Sequence, residues 1–262
     1  MPAIRIAAAQ CPSIAGDIQR NISIHNQMLA AAVEEKIELL IFPELSLTGY
    51  EPAFADRCKL QLNDPRLNHF RQTAHQHQMT IVVGAPIDVG SERPMLGSII
   101  FSPLGVSSYF KQHLHSGEEL FFQAGSTSSP IKVKNLPVSL AICADTNHPE
   151  HAQAAANNDA IVYGASVMFS DSGYAADTTM LQAYARQHQM AVLMANHNSP
   201  TGGWHPAGKS TIWNPQGEVL CQAVGTEAAL IIGQQKAQQW EGSVKMVTLN
   251  SELQQEEADA LC

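Results

Sequence analysis

No stretch of this 262-residue sequence reaches the ~18 uncharged apolar residues that a membrane-spanning helix needs. Its start, Met-Pro-Ala-Ile-Arg-Ile-Ala-Ala-Ala-Gln, also lacks a basic segment followed by a long apolar one. These absences point to a soluble cytoplasmic protein with no membrane partner. Basic residues are scarce as well: 15 Lys plus Arg stand against 24 Asp plus Glu, for a net charge of -9. Such a balance excludes a phosphate-tracking surface for nucleic acid or anionic lipid, leaving a small molecule or a second copy of the chain as partner. Cysteine occurs five times, an odd number with no C-x-x-C pair. That usage excludes a dense disulfide framework and suits a reducing compartment.

What is present is a core. Apolar residues make up 45% and charged residues only 15%, enough to bury the interior of one large α/β domain spanning 1–262. No linker, low-complexity tract or charge run divides it. From Ser251 the tail (250–262) carries Glu252, Glu256, Glu257 and Asp259, which marks an acidic surface or docking segment. Short runs rich in Ile, Val, Leu and Ala predict buried strands at Ile4–Gln10, Glu38–Phe42, Thr80–Pro86, Val138–Cys143, Ala160–Ala165, Ala191–Asn196, Ser210–Asn214 and Ala228–Ile232. Helical spacing occupies Gln19–Lys36, Pro65–His77, Pro149–Asn158 and Ala175–Gln189. This alternation implies a parallel or mixed sheet covered by helices. Two strand-turn-strand segments break it, with turns at Ser102-Pro103-Leu104-Gly105 and Asn214-Pro215-Gln216-Gly217, where Pro opens the turn and Gly closes it. One falls in each half, so the layout reads as a duplication.

Three residues stand at strand ends, where open α/β sheets place their ligand crevice. Glu44 follows the apolar run Leu39 to Phe42 and Pro43. Cys143 ends the strand from Pro137 and precedes Ala144-Asp145-Thr146-Asn147-His148-Pro149-Glu150, which looks like a helix start that Asp145, Thr146 or Asn147 could cap. A thiol on such a turn meets backbone N–H groups and a positive helix end, both of which favour thiolate. Lys111 follows Val106 to Phe110. Taken singly, Glu44 also fits a solvated carboxylate, Cys143 a buried structural thiol and Lys111 a surface lysine. Together they supply what attack on an amide carbonyl requires: a nucleophile, a base that relays its proton to the departing amine, and a cation for the oxyanion. The N–H of Ala144, one residue past the thiol, is a natural second oxyanion donor.

At these residues the sequence resembles the nitrilase superfamily of carbon–nitrogen hydrolases over nearly its whole length. The blocks Phe42-Pro43-Glu44, then Lys111-x-His113-Leu114 with Glu119 and Phe122, then Cys143-x-Asp145 with Pro149-Glu150 occur in the family's order. The resemblance implies a four-layer αββα sandwich, subunits pairing as an αββααββα homodimer or larger homo-oligomer, and neither metal nor organic cofactor. It implies Glu44, Lys111 and Cys143 as the catalytic set, with Glu119 as a second site carboxylate that positions Lys111 or the substrate. Two departures are Ala144, where many members carry an aromatic, and Asn147, where several carry a basic residue. The first could widen the pocket beside the thiol; the second removes a charge that could hold a carboxylate-bearing substrate.

The expected reaction is hydrolysis of a small aliphatic amide or ω-amide through a thioester. Hydrolysis of a nitrile or an N-carbamoyl compound, acyl transfer to an amine, and a silent metabolite-binding homologue are the alternatives. His75-x-His77 and His113-x-His115 read as surface or supporting histidines, because helix positions i and i+2 do not share a face and neither pair shows a carboxylate at ligand spacing. A Cys143–His148 dyad is the less natural geometry. The loop Thr201-Gly202-Gly203-Trp204-His205-Pro206 reads either as one wall of a substrate pocket or as a plain surface loop.

Overall fold

Alternate residues of each central strand face different neighbours, and this separates the interior into three apolar layers. In β2 (Leu39–Ile41), Leu40 joins a cluster beneath helices, whereas Leu39 and Ile41 join a cluster between two sheets. The computed structural model describes residues 4–237 and 239–250. In the first half, β1 (Ile4–Gln10), α1 (Ile18–Glu34), β2, α2 (Ala55–Cys58) and α3 (Asn68–His77) lead to β3 (Thr80–Ile87). The hairpin β4 (Met95–Ser102) and β5 (Gly105–Phe110) completes it. After β6 (Ile131–Val133), the second half repeats the scheme with β7 (Leu136–Ile142), α4 (Pro149–Asn157), β8 (Val162–Val167), α5 (Tyr174–His188) and β9 (Ala191–Asn196). The hairpin β10 (Thr211–Trp213) and β11 (Val219–Gln222) follows, then β12 (Ala229–Lys236) and β13 (Gln239–Met246).

One sheet runs β13-β12-β1-β2-β3-β4-β5 and the other β11-β10-β9-β8-β7-β6. Strands β1-β2-β3 and β7-β8-β9 are parallel, and each trio is extended by its antiparallel hairpin. The duplication read from the turns is therefore real at the level of strand order. β12 crosses back to pair with the whole of β1, in register from Ile4↔Gln235 to Gln10↔Ala229. Helices α1 and α3 cover one outer face through Ile22, Met28, Leu29, Phe70 and Ala74; α4 and α5 cover the other through Ala152, Ala155, Leu181 and Ala185. Four layers result, αββα, as the family resemblance implies.

The helices form where the spacing requires. In α1, Ile18, Ile22, His25, Leu29 and Ala32 recur at three- and four-residue intervals and are buried, and the Asp17 carboxylate caps the first turn by accepting from the Arg20 N–H at 3.0 Å. The two sheets pack closely at Gly164 of β8, where an added Cβ would fall 2.4 Å from Ile41 Cδ1. Strands β6 and β13 do not stand out in the sequence. β6 has three residues, and β13, Gln-Trp-Glu-Gly-Ser-Val-Lys-Met, lies largely exposed at a sheet edge, so no apolar run announces it. Residues 251–262 of the acidic tail lie outside the described residues.

Candidate active site

Glu44 is set by a sharp turn after β2. The Phe42 N–H donates to Val82 O at 2.9 Å, Leu45 takes a left-handed φ of 50°, and the Ser46 N–H returns to Pro43 O at 3.2 Å. The turn lies against Gly84 of β3, where a Cβ would sit 2.3 Å from Leu45 N and 2.7 Å from Pro43 O. Only glycine allows the backbones to meet so closely. From the other side His197, just past β9, reaches the Glu44 carbonyl oxygen with Nε2 at 2.7 Å. Burial lowers the His197 pKa to about 4, so the ring is neutral at pH 7 and Nε2–H is the donor.

Lys111 leaves β5 with its N–H on Leu96 O at 2.9 Å and its carbonyl accepting from the Gly125 N–H at 2.7 Å. Its side chain is wholly buried. Nζ donates to Glu44 Oε1 at 2.7 Å and to Glu118 Oε1 at 2.8 Å. Burial by itself would discharge this ammonium, but Glu44, Cys143 and Glu118 overcome that effect and hold its pKa above the ordinary lysine value. Tyr50 Oη donates to the same Glu118 oxygen at 2.8 Å, and Glu118 Oε2 accepts from the His115 N–H at 2.7 Å.

Cys143 opens a 3₁₀ turn (Cys143–Asn147) directly after β7, in a left-handed conformation with φ 39°. Such a conformation is strained for a residue with a Cβ and persists only where its surroundings enforce it. Asp145 enforces it. Oδ2 accepts from the Ile142 N–H at 3.0 Å and from Tyr109 Oη at 2.7 Å, while Oδ1 accepts the N–H groups of Gln112 and His113, each at 2.9 Å. One buried carboxylate thus ties the cysteine turn to the segment that follows Lys111.

The thiol lies beside the Glu44 carboxylate, whose Oε2 is buried with no hydrogen-bond partner among the described residues. Burial first, then the Glu44 charge, pushes the Cys143 pKa well above the usual thiol range; Lys111 opposes this only in part. The turn geometry that favours thiolate is therefore outweighed, and the resting group is a thiol. Burial likewise raises Glu44 to about 7, against the opposing charge of Lys111. A neutral thiol beside a carboxylate that titrates near neutrality is a pair ready to exchange one proton.

The second site carboxylate expected at Glu119 is instead Glu118. Glu119 is exposed and accepts from the Gly117 N–H at 2.7 Å, because the 3₁₀ turn Glu118–Leu120 directs adjacent side chains in different directions. Ala144 is buried within the Cys143 turn, and its side chain is not among those that line the cavity. None of Asp145, Thr146 or Asn147 caps a regular helix; α4 begins at Pro149 with His148 as its N-cap residue, after the 3₁₀ turn. His148 stacks on His113 at 3.7 Å and places Nδ1 3.3 Å from Glu150 Oε1. The ligating atoms of His113, His148 and Glu150 lie within 4.8 Å of one another, a carboxylate proximity that the sequence spacing conceals. His75 and His77 are exposed on α3.

A cavity of ≈ 470 Å³ opens over Cys143. Glu118, Asn147, Phe169 and Asp177 line it, and Gly202 and Trp204 bring the Thr201–Pro206 loop into its wall. That loop is held by Thr201 Oγ1, which accepts from the Tyr50 N–H at 2.8 Å, and by the Gly202 N–H on Glu51 Oε1 at 2.7 Å. Glu118, Tyr50, His197 and Asp177 escape a reading of the sequence, since nothing in their spacing to the strand ends marks them. Asp145 is visible in Cys143-x-Asp145, but its role as a tie is not.

The profile of the carbon–nitrogen hydrolases matches residues 5–242. An (R)-stereoselective amidase of Pseudomonas sp. is 26% identical over 87% of this chain and 84% of its own. A 2-oxoglutaramate amidase of Bacillus subtilis strain 168 is 25% identical over 74% of this chain and 76% of its own. Among solved structures, a mutant amidase from Nesterenkonia sp. AN1 superposes with a TM-score of 0.78 at 26% identity, covering 87% of this chain and 89% of the other. It shows covalent addition of the acetamide moiety of fluoroacetamide at its active site cysteine.

Proposed function

Since the chain belongs to the carbon–nitrogen hydrolase family, we propose that it hydrolyses a small aliphatic amide, Cys143 carrying the acyl group. The observation that carries this reading is the division of labour at Glu44. Oε1 holds the Lys111 ammonium, Oε2 is left without a partner among the described residues, and the carboxylate lies beside the thiol. Glu44 takes the proton of Cys143 as Sγ bonds to the amide carbon, and the carbonyl electron pair becomes an oxyanion. Lys111 and the Ala144 N–H stabilise that charge. Glu44 then passes the proton to the amide nitrogen, the C–N bond breaks, and ammonia leaves. A water that loses its proton to Glu44 attacks the thioester, the S–C bond breaks, and the proton returns to sulfur as the carboxylate departs. Glu118 is a positioning residue that fixes Lys111 from its far side.

An odd cysteine count with no C-x-x-C pair supports a reducing, cytoplasmic setting. No helix among the described residues is long and apolar enough to cross a membrane. Pairing through the outer helices as αββααββα follows from the family resemblance, and light scattering in solution tests it. The function is tested by ammonia release from alkyl amides, ω-amides, N-carbamoyl amino acids and nitriles, with wild type beside Cys143→Ala. Release from an amide that Cys143→Ala abolishes, with unchanged circular dichroism, is the expected result. Substantial release by Cys143→Ala would refute the assignment.

A further inference from the structure

Among the described residues, the cavity over Cys143 is lined by two carboxylates, Glu118 and Asp177, by one imidazole, His115, and by no lysine or arginine. Lys111 lies behind this surface, engaged by Glu44 and Glu118. Glu118 is fully occupied, with one oxygen on Lys111 and Tyr50 and the other on the His115 N–H. Asp177 differs. It stands in the first turn of α5, half-buried, and its carboxylate makes no hydrogen bond or ion pair with the described residues. Burial raises its pKa with no neighbouring cation to oppose the shift, while the positive end of α5 favours its charged form. A half-buried carboxylate keeps an open, hydrated side, and this one lines the substrate space. Two aromatic side chains also line that space with much of their surface unburied, Trp204 at 47% and Phe121 at 36% exposure. Aromatic faces attract cations.

We infer that this cavity selects amides that carry a cationic group away from the scissile bond, with Asp177 as the residue that receives it. The substrate class is then an ω-amino amide, whose ammonium reaches Asp177 while its carbonyl lies at Cys143 Sγ. An amide with a free carboxylate at the same position would meet Asp177, which no cation offsets. The inference rests on the amide-hydrolase reading, which it sharpens.

The test uses amides matched in length: ω-amino amides from glycinamide to 5-aminopentanamide, the alkyl amides in which methyl replaces ammonium, and the corresponding carboxylates. β-Alaninamide, butyramide and succinamate form one such trio. The expected result is a kcat/KM that favours the ammonium member by about 10-fold at the best length, carried mainly in KM. That ratio falls toward one in Asp177→Asn and diminishes with added salt. Calorimetric binding of the same compounds to Cys143→Ala reads recognition without turnover. Should no amide be hydrolysed while Cys143→Ala still prefers the ammonium member in an Asp177-dependent way, recognition stands and the hydrolase reading falls. Amides hydrolysed with no ammonium preference, or with one that survives Asp177→Asn, overturn the inference and leave the hydrolase intact. Neither turnover nor binding overturns both.

Discussion

At the scale of single residues, the site is governed by where burial places protons. As the proposed base, Glu44 would act only when ionised, and burial raises its pKa to about 7. Activity is therefore lost as pH falls through about 7, well above the range in which an ordinary carboxylate titrates. A pH profile of kcat/KM should show this acid limb near 7, and Glu44→Gln should abolish turnover while retaining the thiol. An acid limb near 4.5 would mean that the carboxylate keeps its ordinary pKa despite its burial. Because Glu44, Lys111 and Cys143 lie in contact, the limb reports the group as a whole. Lys111 also shows why a single residue is hard to read: a lysine after a strand is ordinarily solvated, and here two carboxylates keep it charged where no water reaches.

At the scale of elements, the ends of three strands must be held in register across two sheets. Asp145 couples the cysteine turn to the lysine segment, and Gly84 admits the Glu44 turn against β3. Gly84→Ala would push a methyl into Leu45 N and Pro43 O, both backbone atoms with no freedom to rotate aside. The expected cost is about 1–3 kcal/mol of stability, from overpacking. Activity should fall by about 100-fold, since a catalytic group displaced by ~1 Å loses that much. Thermal unfolding and steady-state kinetics check the two numbers separately. A variant of normal activity would show that the turn tolerates movement. The helices and most strands were legible because their apolar spacing is strong; β6 and β13 were not, because edge strands of mixed polarity carry no such pattern.

At the scale of the whole molecule, buried imidazoles make the fold sensitive to acid. His25 stacks on Phe42 at 4.1 Å and places Nε2 2.9 Å from Ser46 Oγ, supporting the Glu44 turn from below. Burial lowers His25 from 6.5 to about 3 and His197 from 6.5 to about 4. The unfolded chain binds these protons first, so stability is complete above about 6.5 and declines as pH falls from there toward 4. Glu44, raised from 4.5 to about 7, acts in the opposite sense and softens the decline between those values. The melting temperature should fall on acidification below about 6.5, and His25→Gln, though less stable at pH 7, should give a shallower slope. An unchanged slope in that variant would locate the acid sensitivity elsewhere.

The sequence alone determined the alternation of strands and helices, the duplicated layout and the three strand-end residues Glu44, Lys111 and Cys143. These depend on local spacing and on chemistry that recurs in fixed order along the chain. Tertiary structure alone decided which of two adjacent carboxylates, Glu118 rather than Glu119, meets Lys111. It alone tied Asp145 to the segment after Lys111 and brought His197 and Asp177 to the site from distant segments. The protonation of the thiol belongs to the same class. Local turn chemistry favours thiolate, and the burial and facing carboxylate that reverse the preference come from another sheet.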